Sequence, residues 1–127
     1  MGVLIDTQSF ISFFEDNPRL PFSVRLFMER RSSFVVSIAS FWEITIKTSL
    51  RKLSVPEGIS GLMDKALSKG FKTLPIEREH LIVLSTLETI HRDPFDRIII
   101  AQAIAENIPL VSSDNIFKQY PVNCVWE

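Results

Sequence analysis

Short apolar runs alternate along the chain with longer segments in which apolar residues recur at helical spacing. The short runs predict strands at residues 3–5, 34–36, 71–76 and 110–112, with a fifth at 122–126. The longer segments predict helices at residues 7–15, 21–31, 37 to about 53, 59–68 and 77–87. Strands that alternate with helices are typical of an α/β fold. We therefore predict a three-layer α/β/α sandwich around a mainly parallel central sheet of four to five strands.

A further helix is predicted to begin directly after Asp93. Asp93 suits the N-cap, Pro94 the first helical position and Asp96 the third. Residues 98–105 are then apolar on nearly every side, interrupted by Gln102 alone, and a helix of this kind is normally buried. The run is far shorter than the ~20 apolar residues of a membrane span. We therefore predict a buried central helix with two carboxylates at its N-terminal end.

The helix predicted from residue 37 to about residue 53 has two apolar faces. One face carries Ala39, Trp42, Ile46, Leu50 and Leu53. Phe41 and Ile44 lie on the opposite side, and Glu43 stands at the edge of the first face, one turn before Lys47. We expect both faces to be covered, one of them by a partner subunit.

The composition indicates an ordered globular protein, with 46% hydrophobic and 23% charged residues. We expect one domain that spans residues 1–127. Because 14 basic and 15 acidic residues leave a net charge of −1, a nucleic acid would have to be bound by local basic groups. The single cysteine, Cys124, predicts a buried thiol in a reducing compartment. The first apolar run is too short for a signal peptide, so we expect a cytoplasmic protein with no membrane segment.

Several carboxylates stand at comparable places in this predicted fold. Asp6 follows the first strand and Asp114 follows the fourth, and carboxyl ends of parallel strands meet at one edge of a sheet. Each acid also has a plain structural explanation. Asp6, Asp93 and Asp114 suit N-caps, Asp96 complements a helix dipole, and Glu43 suits an ion pair with Lys47.

Taken together, these acids favour a site for a hard divalent cation. Converging carboxylates raise one another's pKa values unless a cation intervenes, and Mg²⁺ prefers oxygen ligands. No zinc pattern is present, because His80, His91 and Cys124 are isolated, and His80 is expected on a helix surface. There is no glycine-rich phosphate loop and no G-x-S-x-G elbow. An oxygen-only Mg²⁺ site is suited to phosphodiester hydrolysis.

Basic residues near these acids are candidates for contacts with a phosphate backbone. The candidates are Lys47, Arg51, Lys52, Arg92 and Arg97. For Arg51 and Lys52, a solvated surface position is the favoured interpretation.

Four motifs occur in a characteristic order along nearly the whole chain. They are Asp6-Thr7 after the first strand, SFWEITIK at residues 40–47, HRDPFDR at residues 91–97 before an Ile/Ala helix, and LVSSD at residues 110–114. In this order they resemble the PIN-domain ribonucleases. The resemblance is closest to the bacterial branch that includes the VapC-type toxins of type II toxin–antitoxin pairs.

The resemblance implies a metal-dependent endonuclease that cleaves single-stranded RNA at an acidic pocket binding Mg²⁺ or Mn²⁺. It also implies a homodimer and, for a toxin, a cognate antitoxin. By position, Asp6, Glu43, Asp96 and Asp114 match the four acidic residues of the family. Asp6, Asp96 and Asp114 are the expected metal ligands, and Glu43 is expected to orient a water molecule or a second ion. Asp93 matches an additional acid of this branch, and Asp93 and Glu43 are further candidate metal ligands.

The same resemblance suggests which residues support the acids. Thr7 and Ser112 match small hydroxyl residues that support the first and last acids. Independently of the resemblance, Lys47 is expected to steady Glu43 or to contact a phosphate, and Arg92 and Arg97 are expected to contact phosphates. The chain departs from the pattern at Ser112, where threonine is common, and at Gln8, where this branch often has histidine.

Two other functions fit the residues less well. A catalytically silent PIN-fold binding module is expected to lack one of the acids, and none is missing here. A receiver-like phosphoacceptor domain is expected to have paired acids after its first strand and an aspartate after its third. Here Thr7 follows Asp6, and the third strand ends in Pro75, Ile76 and Glu77.

Overall fold

The computed structural model describes residues 2–15, 25, 29, 33–90 and 93–125. Within these ranges the strands are β1 (Val3–Ile5), β2 (Phe34–Ser37), β3 (Phe71–Leu74), β4 (Leu110–Val111) and β5 (Cys124–Val125). The α-helices are α1 (Thr7–Phe14), α2 (Ile38–Ser49), α3 (Gly58–Ser68), α4 (Arg78–Thr86) and α5 (Pro94–Glu106). A 3-10 helix at Asn115–Gln119 lies between β4 and β5. The helix predicted at residues 21–31 lies outside the described residues, apart from residues 25 and 29.

The strands form one parallel sheet in the order β3-β2-β1-β4-β5. β1 is the central strand. From β1 the chain continues outward to β2 and β3, and it later returns to pair β4 with the other side of β1. The topology therefore switches direction between β1 and β4, and in α/β folds the ligand site lies at the carboxyl end of such a switch point. The predicted three-layer architecture with a parallel sheet is confirmed.

Alternating side chains of β1 face two different helix layers. Val3 and Ile5 pack with α1, α2 and α3 in a cluster that contains Phe10. Leu4 faces the other side and packs in a second cluster with α5 and residues of α4. Helices cover both faces of the sheet, so a central parallel strand has apolar side chains on both of its faces.

The predicted buried central helix is α5. Residues 98–103 are each at most 6% exposed, including Gln102, whose amide nitrogen donates to the Pro75 carbonyl at 3.2 Å. Asp93 is its N-cap and Pro94 its first residue, as predicted, and the helix ends at Asn107, which has a φ of 54°. No helix in the described part of the chain is long and apolar enough to span a membrane.

The two apolar faces of α2 have different environments. Phe41 and Ile44 are at most 2% exposed, as is Ala39, which packs in the second cluster. Trp42 and Leu50, in contrast, are 57% and 59% exposed, and Ile46 between them is 37% exposed. Within the described chain, therefore, one face is covered and the stripe of Trp42, Ile46 and Leu50 is not.

The predicted end of α2 near residue 53 is wrong, because the helix ends at Ser49. Arg51 adopts a left-handed conformation with a φ of 58°. Its N–H donates to the Thr48 carbonyl at 3.1 Å, and that of Lys52 donates to the Lys47 carbonyl at 2.9 Å. This pair of bonds is a Schellman motif, which usually places glycine at the left-handed position. Leu53 fits the helical spacing of the apolar face in the sequence, but it lies in the loop after α2 and packs there against the first cluster.

Replacing Arg51 with glycine is expected to stabilise the protein. Glycine adopts the left-handed conformation without the steric penalty that a Cβ imposes, so we expect a gain of about 0.5–1 kcal/mol in the free energy of unfolding. Urea denaturation measures it. Lys52→Gly is the matched control, and it is expected to give no gain because Lys52 does not have a positive φ. An Arg51→Gly variant no more stable than the wild type would contradict this account.

Candidate metal centre

Asp6 lies at the carboxyl end of β1 and is 4% exposed. As the N-cap of α1, it accepts a hydrogen bond from the Ser9 N–H through Oδ1 at 2.9 Å. Its Oδ2 accepts a hydrogen bond from the Ser112 hydroxyl at 2.7 Å. The predicted N-cap role is therefore confirmed, and both carboxylate oxygens are held in defined directions.

Ser112 joins the first acid to the last. It follows β4 and is fully buried, and its hydroxyl oxygen also accepts a hydrogen bond from the Asp114 N–H at 3.1 Å. Asp114 in turn caps the 3-10 helix, accepting from the Ile116 N–H at 3.1 Å. The prediction that Asp6 and Asp114 reach the same sheet edge is confirmed by this chain of hydrogen bonds. Cys124 is half-buried rather than buried, and its Sγ lies 3.5 Å from the Ser112 carbonyl oxygen.

Burial raises the pKa of the Asp6 carboxyl above its ordinary value. Hydrogen bonds from Ser9 and Ser112 oppose the rise, and the negative charge of Asp114 adds to it. A carboxylate in this environment is stabilised by a proton or by a metal cation.

Glu43 has one buried carboxylate oxygen that lacks a hydrogen-bond partner among the described residues. The residue is 7% exposed, and its Oε2 forms an ion pair with Lys47 Nζ at 3.0 Å. Its Oε1 is buried and has no hydrogen-bond partner among the described residues. Because an unsatisfied buried carboxylate oxygen is costly, this atom is well suited to a cation or to an ordered water. The residues present thus fit a hard divalent ion such as Mg²⁺ or Mn²⁺.

Asp96 and Asp93 stand at the start of α5, where this helix meets α2. The Trp42 and Phe95 rings pack edge to face with centroids 5.0 Å apart, and the next residues in the chain are Glu43 and Asp96. Asp96 is half-buried at the third position of α5. Asp93 uses its carboxylate to cap α5, and with Glu43 it lines a cavity of about 450 Å³.

The basic candidates differ in their contacts. Lys47 is paired with Glu43 and lines the same cavity as Lys52, which is exposed. Arg97 is half-buried, and its Nη2 lies 3.5 Å from the Leu87 carbonyl oxygen. Arg92 lies outside the described residues. Arg51 is exposed at the end of α2. Among these candidates, Lys47 and Lys52 therefore line the same cavity as Glu43 and Asp93.

Thr7 hydrogen-bonds not to an acid but to another buried hydroxyl. Its Oγ1 lies 2.8 Å from the Oγ of Ser40, in the first turn of α2. Ser40 belongs to the second motif, yet its role was not predicted. Ser40 lies between the apolar residues Ala39 and Phe41, three residues before Glu43, and this position is the sequence signal for its role.

The expectation that His80 is a surface residue is wrong, because its side chain is fully buried. Its Nδ1 accepts a hydrogen bond from the Glu77 N–H at 3.0 Å, and its Nε2 lies 2.9 Å from a Glu106 carboxylate oxygen. Glu77, His80 and Glu106 resemble a metal cluster. Since Nδ1 accepts an N–H, the proton of the neutral ring resides on Nε2, where it is donated to Glu106. The His80 ring therefore has no free lone pair for a metal, and its hydrogen bond to Glu106 connects α4 to α5.

The sequence profile of the PIN domain matches residues 3–123, and the chain belongs to the PIN domain family. Among curated proteins, no sequence matches this chain.

Several solved structures share this fold at low sequence identity. VapBC2 from Rickettsia felis, bound to a promoter DNA fragment, superposes with a TM-score of 0.76 at 18% identity, covering 98% of both chains. DNA-bound VapBC from Salmonella typhimurium gives 0.74 at 16% identity, covering 98% of this chain and 97% of that one. FitAcB from Neisseria gonorrhoeae gives 0.71 at 16% identity, covering 98% and 96%. The fold is that of a VapC-like PIN domain.

Replacing Asp6 with asparagine is expected to stabilise the metal-free protein at neutral pH. Asparagine keeps the N-cap acceptor, presents an amide N–H donor to the Ser112 hydroxyl oxygen in place of the acceptor Oδ2, and carries no charge to be desolvated. Because the folded-state pKa of Asp6 is raised, folding favours the protonated carboxyl, and the wild type loses stability as the pH rises from about 3.8 through the raised pKa. Thermal melts at several pH values in EDTA should show a melting temperature for Asp6→Asn that exceeds that of the wild type increasingly as the pH rises.

Adding Mn²⁺ is expected to raise the melting temperature of the wild type more than that of Asp6→Asn, because the variant lacks the buried charge that a cation would compensate. Asp64→Asn, an exposed acid on α3, is the control and should behave as the wild type in both conditions. A melting temperature of Asp6→Asn below that of the wild type in EDTA would contradict the account.

Proposed function

We propose that this PIN domain is a Mg²⁺- or Mn²⁺-dependent endoribonuclease that hydrolyses phosphodiester bonds in single-stranded RNA. The observation that carries the proposal is the buried, unpartnered Oε1 of Glu43. It lies in a fold that places Asp6 and Asp114 together at the switch point of the sheet. Membership of the PIN family supports the same activity.

In this proposal each acid has a distinct task. Asp6, Asp96 and Asp114 bind the divalent ion, which when bound supplies a Lewis acid and favours ionisation of water at neutral pH. Glu43 would help to hold the ion through Oε1 and would orient the attacking water, while Lys47 holds its other oxygen. Ser112 keeps Asp6 and the Asp114 backbone in fixed positions. Asp93 starts α5 and thereby fixes the direction in which Asp96 projects.

The RNA backbone is bound by cations that border the acids. Lys47 forms an ion pair with Glu43 and is therefore well placed to contact a phosphate. Arg97 and Arg92 stay further candidates. The near-neutral net charge of −1 is consistent with binding by such a local group rather than by an overall field.

We further propose that the protein is the toxin of a type II pair and that it is inhibited by a cognate antitoxin in the cytoplasm. The support is structural: the similar structures are described as VapBC, FitAcB and a toxin–antitoxin complex from Klebsiella pneumoniae. A small gene directly upstream, whose product binds this chain and suppresses its toxicity, is the corresponding finding to look for.

Asp96→Asn is expected to lower Mn²⁺-dependent cleavage of single-stranded RNA on the order of a hundredfold or more, because a charged ion ligand is lost. The assay uses end-labelled RNA with Mn²⁺ or with EDTA, and circular dichroism checks that the variant is folded. Asp64→Asn should cleave as the wild type does. Undiminished cleavage by folded Asp96→Asn, or wild-type RNA cleavage that persists in EDTA, would refute the assignment. RNA binding without cleavage by the wild type would instead indicate a silent binding module.

The exposed stripe of Trp42, Ile46 and Leu50 on α2 supports a homodimer. Residues four apart on a helix form a continuous ridge, and aliphatic ridges of this kind pack against other helices. Charges of both signs border the stripe, Lys52 and Asp93 among them, so the patch is complementary to a second copy of itself across a two-fold axis. We therefore propose that two copies associate through α2.

Leu50→Glu is expected to convert the dimer to a monomer, because it places a charge in the apolar contact. Sedimentation equilibrium of the purified chain measures the mass. Leu67→Glu is the matched control, since Leu67 is equally exposed on α3 and lies outside the stripe. A Leu50→Glu variant that remains dimeric would place the subunit contact elsewhere.

A further inference from the structure

Two buried hydroxyl groups join α1 to α2 beside two of the acids. Thr7 Oγ1 and Ser40 Oγ lie 2.8 Å apart, and the two residues are 3% and 0% exposed. Thr7 directly follows Asp6 in the chain. Ser40 stands three residues before Glu43, which is close to one helical turn. The hydrogen bond therefore connects the elements that carry Asp6 and Glu43 over a short length of regular backbone.

The other contacts across this junction are of a different kind. Phe10 of α1 packs edge to face on Phe41 of α2, with ring centroids 5.5 Å apart. Apolar packing of this kind contributes to stability, but it is non-directional and tolerates small rotations of one helix against the other. A hydrogen bond between two hydroxyls has narrow limits on distance and angle. The Thr7–Ser40 bond therefore fixes the rotation of α2 relative to α1 more closely than the aromatic contact does.

We propose that Ser40 is a positioning residue for the divalent ion. Through its bond to Thr7 it sets the separation between the Asp6 and Glu43 carboxylates. The inference rests on the proposed function, because it takes these two acids to serve one ion. Without the bond, α2 is free to rotate by a small amount, Glu43 moves away from Asp6, and the ion binds more weakly. Because the ion is bound less tightly, kcat falls at a fixed, subsaturating Mn²⁺ concentration.

The test measures Mn²⁺ affinity by isothermal titration calorimetry, independently of cleavage. Ser40→Ala is expected to weaken Mn²⁺ binding roughly tenfold, at the lower end of the range of about 10–100-fold for loss of a direct partner of a metal ligand, because Ser40 acts on the ligands through Thr7. Ser40→Thr keeps the hydroxyl and should retain most of the affinity. Ser12→Ala removes another buried hydroxyl of α1, one that contacts Gln8 rather than α2, and is expected to have no effect.

Thr7→Val removes the same bond from the other side and guards against a folding defect that is specific to Ser40→Ala. It should weaken Mn²⁺ binding equally, and the double variant should be no weaker than either single one, since one interaction is lost in all three. In cleavage assays, saturating Mn²⁺ should restore the kcat of Ser40→Ala to that of the wild type.

Two outcomes separate the inference from the proposed function. If the wild type binds Mn²⁺ and both single variants bind it as tightly, the positioning role of Ser40 is wrong and the proposed function is unaffected. If the wild-type chain binds no Mn²⁺ at all, both are wrong. An additive loss in the double variant would also contradict the inference, because it would mean that the two hydroxyls act independently.

Discussion

The carboxylate of Asp6 is buried at the end of the central strand, and its environment constrains the rest of the site. Burial raises its pKa, and the neighbouring charge of Asp114 raises it further. The Ser9 N–H and the Ser112 hydroxyl offset part of this cost, as does the N-terminal dipole of α1. What remains is an acidic group that a divalent cation stabilises. This group follows the central strand β1, which is hydrogen-bonded to β2 on one side and to β4 on the other.

The structural and the functional explanations of these acids are compatible with each other. Asp6, Asp93 and Asp114 all cap helices, as the simplest interpretation of the sequence predicted. A carboxylate has two oxygens and several lone pairs, so one that accepts a cap hydrogen bond retains the capacity to bind an ion. The cap also orients it. In this chain, the hydrogen bonds that begin α1 and the 3-10 helix also orient Asp6 and Asp114 at the carboxyl edge of the sheet. Asp96 lies in the first turn of the buried α5.

Local signals in the sequence predicted much of the fold, and contacts between distant residues explain what they missed. The N-cap and proline at the start of α5, and Asp6 and Asp114 after parallel strands, follow from local chemistry. The end of α2 was missed because Arg51 occupies a position where glycine usually marks the stop. His80 was misplaced because its burial depends on Glu106, 26 residues later. The Thr7–Ser40 bond spans 33 residues, and spacing along the chain alone does not reveal it.

The central claim is that the acids at the switch point of the sheet form one divalent-ion site. Anomalous diffraction from crystals grown with Mn²⁺, at a wavelength where manganese scatters anomalously, tests it most directly. The account predicts an anomalous peak within ligand distance, about 2.0–2.3 Å, of oxygens of Asp6 and at least one of Glu43, Asp96 and Asp114. It predicts none beside His80, whose ring has no free lone pair. A peak between His80 and Glu106, with none at Asp6, would contradict it.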